Sequence, residues 1–369
     1  MLYALSLCVL FLSGHPLTTL PNNFWFIAYV IALSIAGTLV IARGRIKEEF
    51  FLNRFVLLSL LIFFTLIYGD VNLVAIKFIL FFILGLVITM IGPKENVLIP
   101  FAQVNYHLMV LSLACYFLIN LGGIGIPGLS FSNVNDVPYR SILFYNWFDS
   151  ILIFRNTGFY WEPGLLATHA ILTAVVLSKY NLLSTSRKIF IFLVLISTFS
   201  IFGIVMSLFL ISKKKRRENV MFFLIVIGFA CFLEFFRPGA IVEYIEVITR
   251  KFFVASASVS DRVSSQEMAV NILMDNFLGV GIGNFVNEFQ KIGPEVPFTS
   301  SVIGLGASYP AFGLILSVSL LLRILNQGVS ELKIIIVVLL AANKEPLLFS
   351  MIIIVICLGF SDARHSKTA

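Results

Sequence analysis

Apolar residues in this chain come in blocks rather than in alternation, and most blocks have the length of a membrane helix. Runs near residues 2–13, 24–42, 54–68, 72–91, 98–120, 164–179, 219–236 and 301–322 carry almost no charge. None shows the period-two pattern of a barrel strand. Backbone polar groups in hydrocarbon must be satisfied within their own segment, so helices are predicted throughout. Two further apolar stretches, 189–211 and 332–360, contain interruptions: Ser197 to Gly203 reads STFSIFG, and Asn343-Lys344-Glu345-Pro346 divides the second. For both, a re-entrant pair of short helices is the favoured reading, with two short tilted spans as the alternative.

The pattern predicts an all-α, polytopic membrane protein with about 10 to 12 transmembrane or re-entrant helices. Residues 1–120 hold the N-terminal helices, and 121–163 form a first large loop. Residues 164–236 hold the central helices, 237–300 a second large loop, and 301–369 the last helices and tail. Both large loops are expected to contain short helices.

Composition sharpens this picture. The chain is 59% hydrophobic and 12% charged, with a mean hydropathy of +1.00, which excludes an ordinary soluble domain. Basic residues set the orientation, because cytoplasmic loops carry their excess. Arg43, Arg45, Lys47 and Arg54 mark one such edge; Lys179, Arg187 and Lys188 mark another; Lys213 to Arg217 mark a third. With these inside, the loops 121–163 and 237–300 fall outside, and the tail bearing Arg364 and Lys367 falls inside. A single crossing by 189–211 would leave Lys213 to Arg217 outside, which is why the re-entrant reading is preferred. The net charge of +7 then belongs to edges facing anionic lipid, and no nucleic-acid partner follows from it. Cys8, Cys115, Cys231 and Cys357 lie in apolar runs, and His15, His107, His169 and His365 share no ligand spacing. Neither a metal nor another cofactor is expected.

Candidate chemistry gathers in Arg155 to Gly164, RNTGFYWEPG, where a polar loop runs into an apolar helix. Proline suits the first helical position and keeps the preceding residue extended, so Glu162 is expected at a helix N-terminus. There the helix dipole favours its ionised form. The planar fork of Arg155 fits a pyrophosphate or, in the plainer reading, lipid phosphates at the interface. His169, seven residues after Glu162, extends the polar track along the helix or simply packs there.

In the second loop, Glu243, Glu246 and Arg250 recur at helical spacing, with Lys251 following, as in a helix lying in the interface. Ser264 and Glu267 have capping-box spacing, and Ser260 or Asp261 offers an earlier cap. Either start leaves Arg262 at or just before a first helical turn, a place suited to phosphate oxygens. Gly279 to Phe285, GVGIGNF, lacks the lysine of a P-loop and reads as a tight turn between two loop helices.

RNTGFYWEPG, then Ser260-Asp261-Arg262, then NFLGVGIGNF and a following span with Gly304, Gly306 and Gly313 together resemble the O-antigen polymerase and ligase superfamily over about residues 140 to 325. The resemblance implies an integral glycosyltransferase of the bacterial inner membrane whose two large loops are periplasmic and whose chemistry needs no metal. Its expected partners are donor and acceptor oligosaccharides linked to undecaprenyl pyrophosphate, membrane lipid and, where chain length is regulated, a co-polymerase. Carried onto this chain, it makes Arg155 and Arg262 the pyrophosphate-binding arginines and places Glu162 on the acceptor side. Arg140, Asn156, Tyr160, His169, Arg250, Lys251 and Asn284 are expected to contact substrate. Ligases of the superfamily carry a functional histidine in the second loop; residues 237–300 contain none, which favours a polymerase. The alternatives are an O-antigen ligase, a flippase or other transporter, and a scaffold without catalysis. Few ionisable residues within spans, Lys77 and Lys344 excepted, and no internal repeat weigh against transport.

Overall fold

The computed structural model describes residues 1–18, 24–43, 48–69, 72–93, 95–132, 138–148, 155–160, 162–207, 216–236, 257–292 and 307–310, with isolated residues at 238–239, 242, 245–246, 249, 354 and 356. Its first helices are α1 (Leu2–Leu12), α2 (Phe24–Arg43), α3 (Glu48–Ile67), α4 (Leu73–Met90) and α5 (Glu95–Cys115), the last continuing as a π-helical turn over Tyr116–Leu121. Strands β1 (Leu129–Ser132), β2 (Pro138–Ser141) and β3 (Asn146–Phe148) follow. Then come α6 (Pro163–Lys179), α7 (Thr185–Ser197), α8 (Ile201–Ser207), α9 (Arg216–Phe236), α10 (Ala257–Asp275) and α11 (Ile282–Ile292). Among the described residues three helical stretches, Phe24–Ala42, Leu73–Met90 and Glu95–Asn120, are long and apolar enough to cross a membrane. Leu2–Leu12, Phe55–Ile67 and Pro163–Lys179 are shorter apolar helices.

The chain divides into two compact units, one of Met1–Ser13, Phe24–Pro100 and Ala257–Ala369, the other of Gly14–Asn23 and Phe101–Ser256. In the first unit α2 packs on α1 and α4, and α4 also receives α3 and α11. The reason is legible on α2: Trp25, Tyr29, Ala32 and Ala36 recur at helical spacing and are buried. The two alanines let backbones approach closely, as apolar bundles require. The remaining face, with Phe26, Ile27, Val30 and Ile31, is apolar and exposed, as on a helix apolar enough to cross a membrane.

In the second unit α6 is the central helix, buried at every position from Pro163 to Ala174 and packed against α7 and α8. The interruption expected within 189–211 is present. α7 ends at Ser197, Phe199 takes a positive φ of 50°, and α8 starts at Ile201. A methyl group on Gly203 would lie 2.9 Å from the Leu195 carbonyl oxygen and 3.3 Å from Ala167 Cβ. An unbroken helix would hold residues 195 and 203 about 12 Å apart along its axis. The chain therefore turns back against α7 instead of running on.

The first large loop departs from the all-α expectation. Its described residues form a three-stranded antiparallel sheet in the order β1-β2-β3, with Phe131 opposite Tyr139 and Arg140 opposite Trp147. The segments Leu-Ser-Phe-Ser, Pro-Tyr-Arg-Ser and Asn-Trp-Phe alternate and are rich in aromatics, which fits a half-buried pleat better than a helix. Tyr145 and Trp147 stack at 5.9 Å and join Tyr116 and Phe229 in one buried cluster.

The second loop differs at its start. α10 begins at Ala257, so Arg262 lies in the second helical turn rather than at a first turn, and Ser264 and Glu267 are interior rather than a capping box. Alanine and the serines of SASVS continue the helix upstream once tertiary packing favours it, since propensity is only a weak prior. The glycine segment does form the expected tight turn: Gly279 and Gly281 take φ of 92° and 82° between α10 and α11. Ala269, Ile272, Phe285, Phe289 and Ala307 pack around it. Two contacts dock this hairpin on the end of α3: the Tyr68 hydroxyl donates to the Leu278 carbonyl, and Asn284 Nδ2 donates to the Tyr68 carbonyl at 3.2 Å. The interfacial helix expected around 239–253 and the stretch 332–360 lie almost wholly outside the described residues, as does most of 301–322.

Candidate functional site

The stretch from Arg155 into α6 is built from the backbone outwards. Glu162 is the N-cap residue of α6, extended at φ −133° and ψ 144°, with Pro163 opening the first turn, as the Glu-Pro pair predicts. Upstream, the Tyr160 amide closes a turn on the Thr157 carbonyl at 3.1 Å. Gly158 makes that turn possible with a φ of 60°. A Cβ there would come within 2.7 Å of Ser112 Oγ and 3.1 Å of a Leu166 methyl.

Side chains from neighbouring elements then fix the stretch. Asn156 is fully buried; its Oδ1 accepts from Ser112 at 2.8 Å, and its Nδ2 donates to Ser197 Oγ at 2.9 Å. The Asn156 amide also donates to the Ser197 carbonyl at 2.9 Å. Thr157 Oγ1 donates to the Asn146 carbonyl, while the Asn146 amide and its Nδ2 both donate to the Gly158 carbonyl. Tyr160, also fully buried, donates to Asn105 Oδ1 at 2.8 Å, and burial pushes its phenol well above the ordinary value, so the proton stays on. Asn105 Nδ2 donates in turn to the His169 carbonyl and to Thr173 Oγ1. One asparagine on α5 thus ties the approach to α6 to the helix itself.

His15 closes the arrangement from the other side. Its Nδ1 accepts from the Leu17 amide at 3.2 Å, so the ring carries its proton on Nε2, which meets the Leu143 carbonyl at 2.9 Å. The ring lies 4.8 Å from that of Phe159. Burial lowers its pKa from 6.5 to about 4, which keeps it neutral and preserves the accepting Nδ1.

At the two ends of the stretch the burial changes. Asn156 to Tyr160 are buried, whereas Arg155 and Glu162 are half-buried. Arg155 Nε donates to the Thr198 carbonyl at 3.1 Å, at the C-terminal end of α7, where unsatisfied carbonyls favour a cation. Glu162 sits at the N-terminal end of α6, where a carboxylate is favoured. Two helix termini of opposite polarity each hold the charge that suits them, and the buried residues Asn156 and Tyr160 between them are tied by hydrogen bonds to α5 and α7.

The other expected site residues are placed less uniformly. Asn156 and Tyr160 have their polar atoms bonded within the fold and so hold the stretch in place. His169 is fully buried against Tyr160, with ring centroids 4.3 Å apart, and neither ring nitrogen has a hydrogen-bond partner among the described residues. Arg140 is exposed on β2. Asn284 donates to the carbonyls of Val280 and Tyr68, a docking role for α11. Arg262 is on α10, in the other compact unit from Arg155. Arg250 and Lys251 lie outside the described residues. Among the described residues no three His, Cys, Asp or Glu side chains come together as a metal site would need. Sequence reading passed over Asn105, Ser112, Ser197 and the clasp made by His15. An asparagine in the middle of the apolar block 98–120 was the available signal, since such residues bond between helices.

No family model matches the chain, and neither a curated protein nor a solved structure matches it.

Proposed function

We propose that this chain is a polytopic membrane glycosyltransferase of the bacterial inner membrane that polymerises surface-polysaccharide repeat units on their undecaprenyl pyrophosphate carriers. The observation that carries the proposal is the rigid segment Asn156 to Tyr160, which presents a half-buried arginine at one end and a half-buried glutamate at the other. A diphosphate leaving group needs its developing charge balanced by donors already in place. A sugar hydroxyl needs a nearby base. In the proposed reaction the acceptor hydroxyl oxygen attacks the anomeric carbon of the donor glycan, and its proton passes to Glu162. The bond from that carbon to the diphosphate oxygen breaks, and its electron pair leaves with the lipid diphosphate, which Arg155 neutralises.

One long-range contact supports an outer position for the first large loop. The bond from His15 to Leu143 joins segments separated by α2, α3, α4 and α5, and full crossings by these four helices return the chain to the side on which it started, opposite the basic edge at Arg43 to Arg54.

The test uses a strain making surface polysaccharide in which this chain is the only polymerase. Arg155→Ala and Glu162→Gln are expected to abolish the ladder of chain lengths at unchanged protein level. Arg155→Lys should rescue poorly, because a point charge does not reproduce the fork. A normal ladder in Arg155→Ala overturns the proposal. Loss of the whole gene distinguishes the classes: a single repeat unit on the lipid core means polymerase, bare core with lipid-bound polymer means ligase, and unflipped units in the cytosol mean flippase.

A further inference from the structure

The second large loop carries an apolar surface that its own packing does not use. α10 has two apolar stripes. One, through Ala269 and Ile272, is buried against Phe285, Phe289 and Ala307. The other, Val270, Met274, Phe277 and Leu278, recurs at spacings of four, three and one, runs off the helix into the following turn, and is exposed. Met274 is 76% exposed, Phe277 81% and Leu278 77%. A helix facing water on its second side would place polar residues there, and a contiguous exposed apolar patch marks a contact surface.

Its position identifies what it contacts. The Leu278 carbonyl accepts from the Tyr68 hydroxyl, and Tyr68 directly follows α3. The last turns of α3 expose Phe63, Leu66 and Ile67, and the first residue of α4 exposes Leu73. The patch is therefore continuous with the apolar outer face of helices read above as membrane spans. The nearest charge on the turn is Asp275, which is exposed on the last turn of α10 and suits headgroup level while its apolar neighbours go deeper. Shallow insertion of this kind is how amphipathic segments bind a bilayer surface.

We propose that the turn after α10 is a lipid-inserting wedge: Met274, Phe277 and Leu278 enter the acyl region of the outer leaflet and hold α10 and α11 down on the membrane. The inference rests on the membrane reading of α3. It adds a fixed height for α10, and with it for Arg262, relative to the diphosphate level of a lipid-linked substrate.

The test is site-directed fluorescence on the full chain in vesicles of phosphatidylethanolamine and phosphatidylglycerol. Cys8, Cys115, Cys231 and Cys357 are first replaced by serine or alanine. Single cysteines at Phe277, Met274, Phe63 and Lys291 then carry an environment-sensitive dye. The dye at 277 and 274 is expected to match that at 63, with blue-shifted emission, strong loss of intensity to nitroxide placed high on lipid acyl chains, and little loss to aqueous iodide. The dye at Lys291, on the solvent-facing side of α11, should show the reverse. If 277 and 274 follow Lys291 while 63 stays lipid-quenched, the wedge is wrong and the membrane reading stands. Blue-shifted emission at 277 that neither quencher reaches means that a protein surface covers the turn, which also overturns the proposal. Iodide quenching at 63 would sink the membrane reading itself.

Discussion

Asn105 offers the sharpest test of how the start of α6 is held. Replacing it with alanine removes the acceptor of the Tyr160 hydroxyl and the donor to both the His169 carbonyl and Thr173. Hydrogen bonds between membrane helices average about 0.6 kcal/mol and reach about 1.7, so three of them contribute about 2 to 5 kcal/mol. The upper half of that range applies because Asn105 and Tyr160 are both 0% exposed, and a stranded buried hydroxyl keeps its full desolvation penalty. Tyr160→Phe alone should cost about 1 kcal/mol, since it removes one of the three bonds. In the Asn105→Ala background it should cost almost nothing, giving a coupling energy of about 1 kcal/mol. Reversible unfolding of the purified chain in mixed micelles, followed by circular dichroism, measures all four corners of the cycle. Additivity to within about 0.3 kcal/mol would show that the two side chains do not share a bond.

Three further outcomes follow from the same geometry. Gly158→Ala forces a left-handed residue into contact with Ser112 and Leu166 and should destabilise by about 2 to 4 kcal/mol, read from the unfolding midpoint. His15 resists protonation when folded, so its contribution is complete above pH 6.5 and is lost as pH falls towards about 4. That loss is worth up to about 3 kcal/mol, and His15→Gln should flatten the pH dependence of unfolding between pH 7 and 4.5; an unchanged slope would assign it to other groups. Asn72 caps α4 by accepting from the Ala75 amide at 3.0 Å and lies directly against Gly283. Gly283→Ala should therefore cost at least the cap, about 1 kcal/mol, and visibly less once Asn72→Ala has already removed it.

The sequence was most readable where one local rule decides the outcome. Glu162-Pro163 specifies an extended residue before a helix, the glycines at 279 and 281 permit positive φ, and the small and hydroxyl residues of 197–203 end a helix; each is found in place. It was least readable where distant segments decide. The β-sheet of residues 129–148 draws on Tyr116 and Phe229 for its packing, and neither is a neighbour in sequence. The upstream start of α10 likewise reflects the packing of Ala269 and Ile272 on α11. Within the site, the two charged ends were visible as residue types, but their support was not, because Asn105 and Ser197 reach the stretch from 55 and 41 residues away.

The His15 clasp also carries a timetable. It joins residues 128 apart in sequence, and translation proceeds at about 5 to 20 residues per second. Leu143 is therefore synthesised about 6 to 26 seconds after His15 at that pace. Throughout that interval the loop between the first two helices has no carbonyl to receive its imidazole, and the hairpin they form must persist on helix packing alone. Supplying residues 1–43 as a separate polypeptide should then restore a chain lacking them, since biosynthesis already handles the two pieces at different times.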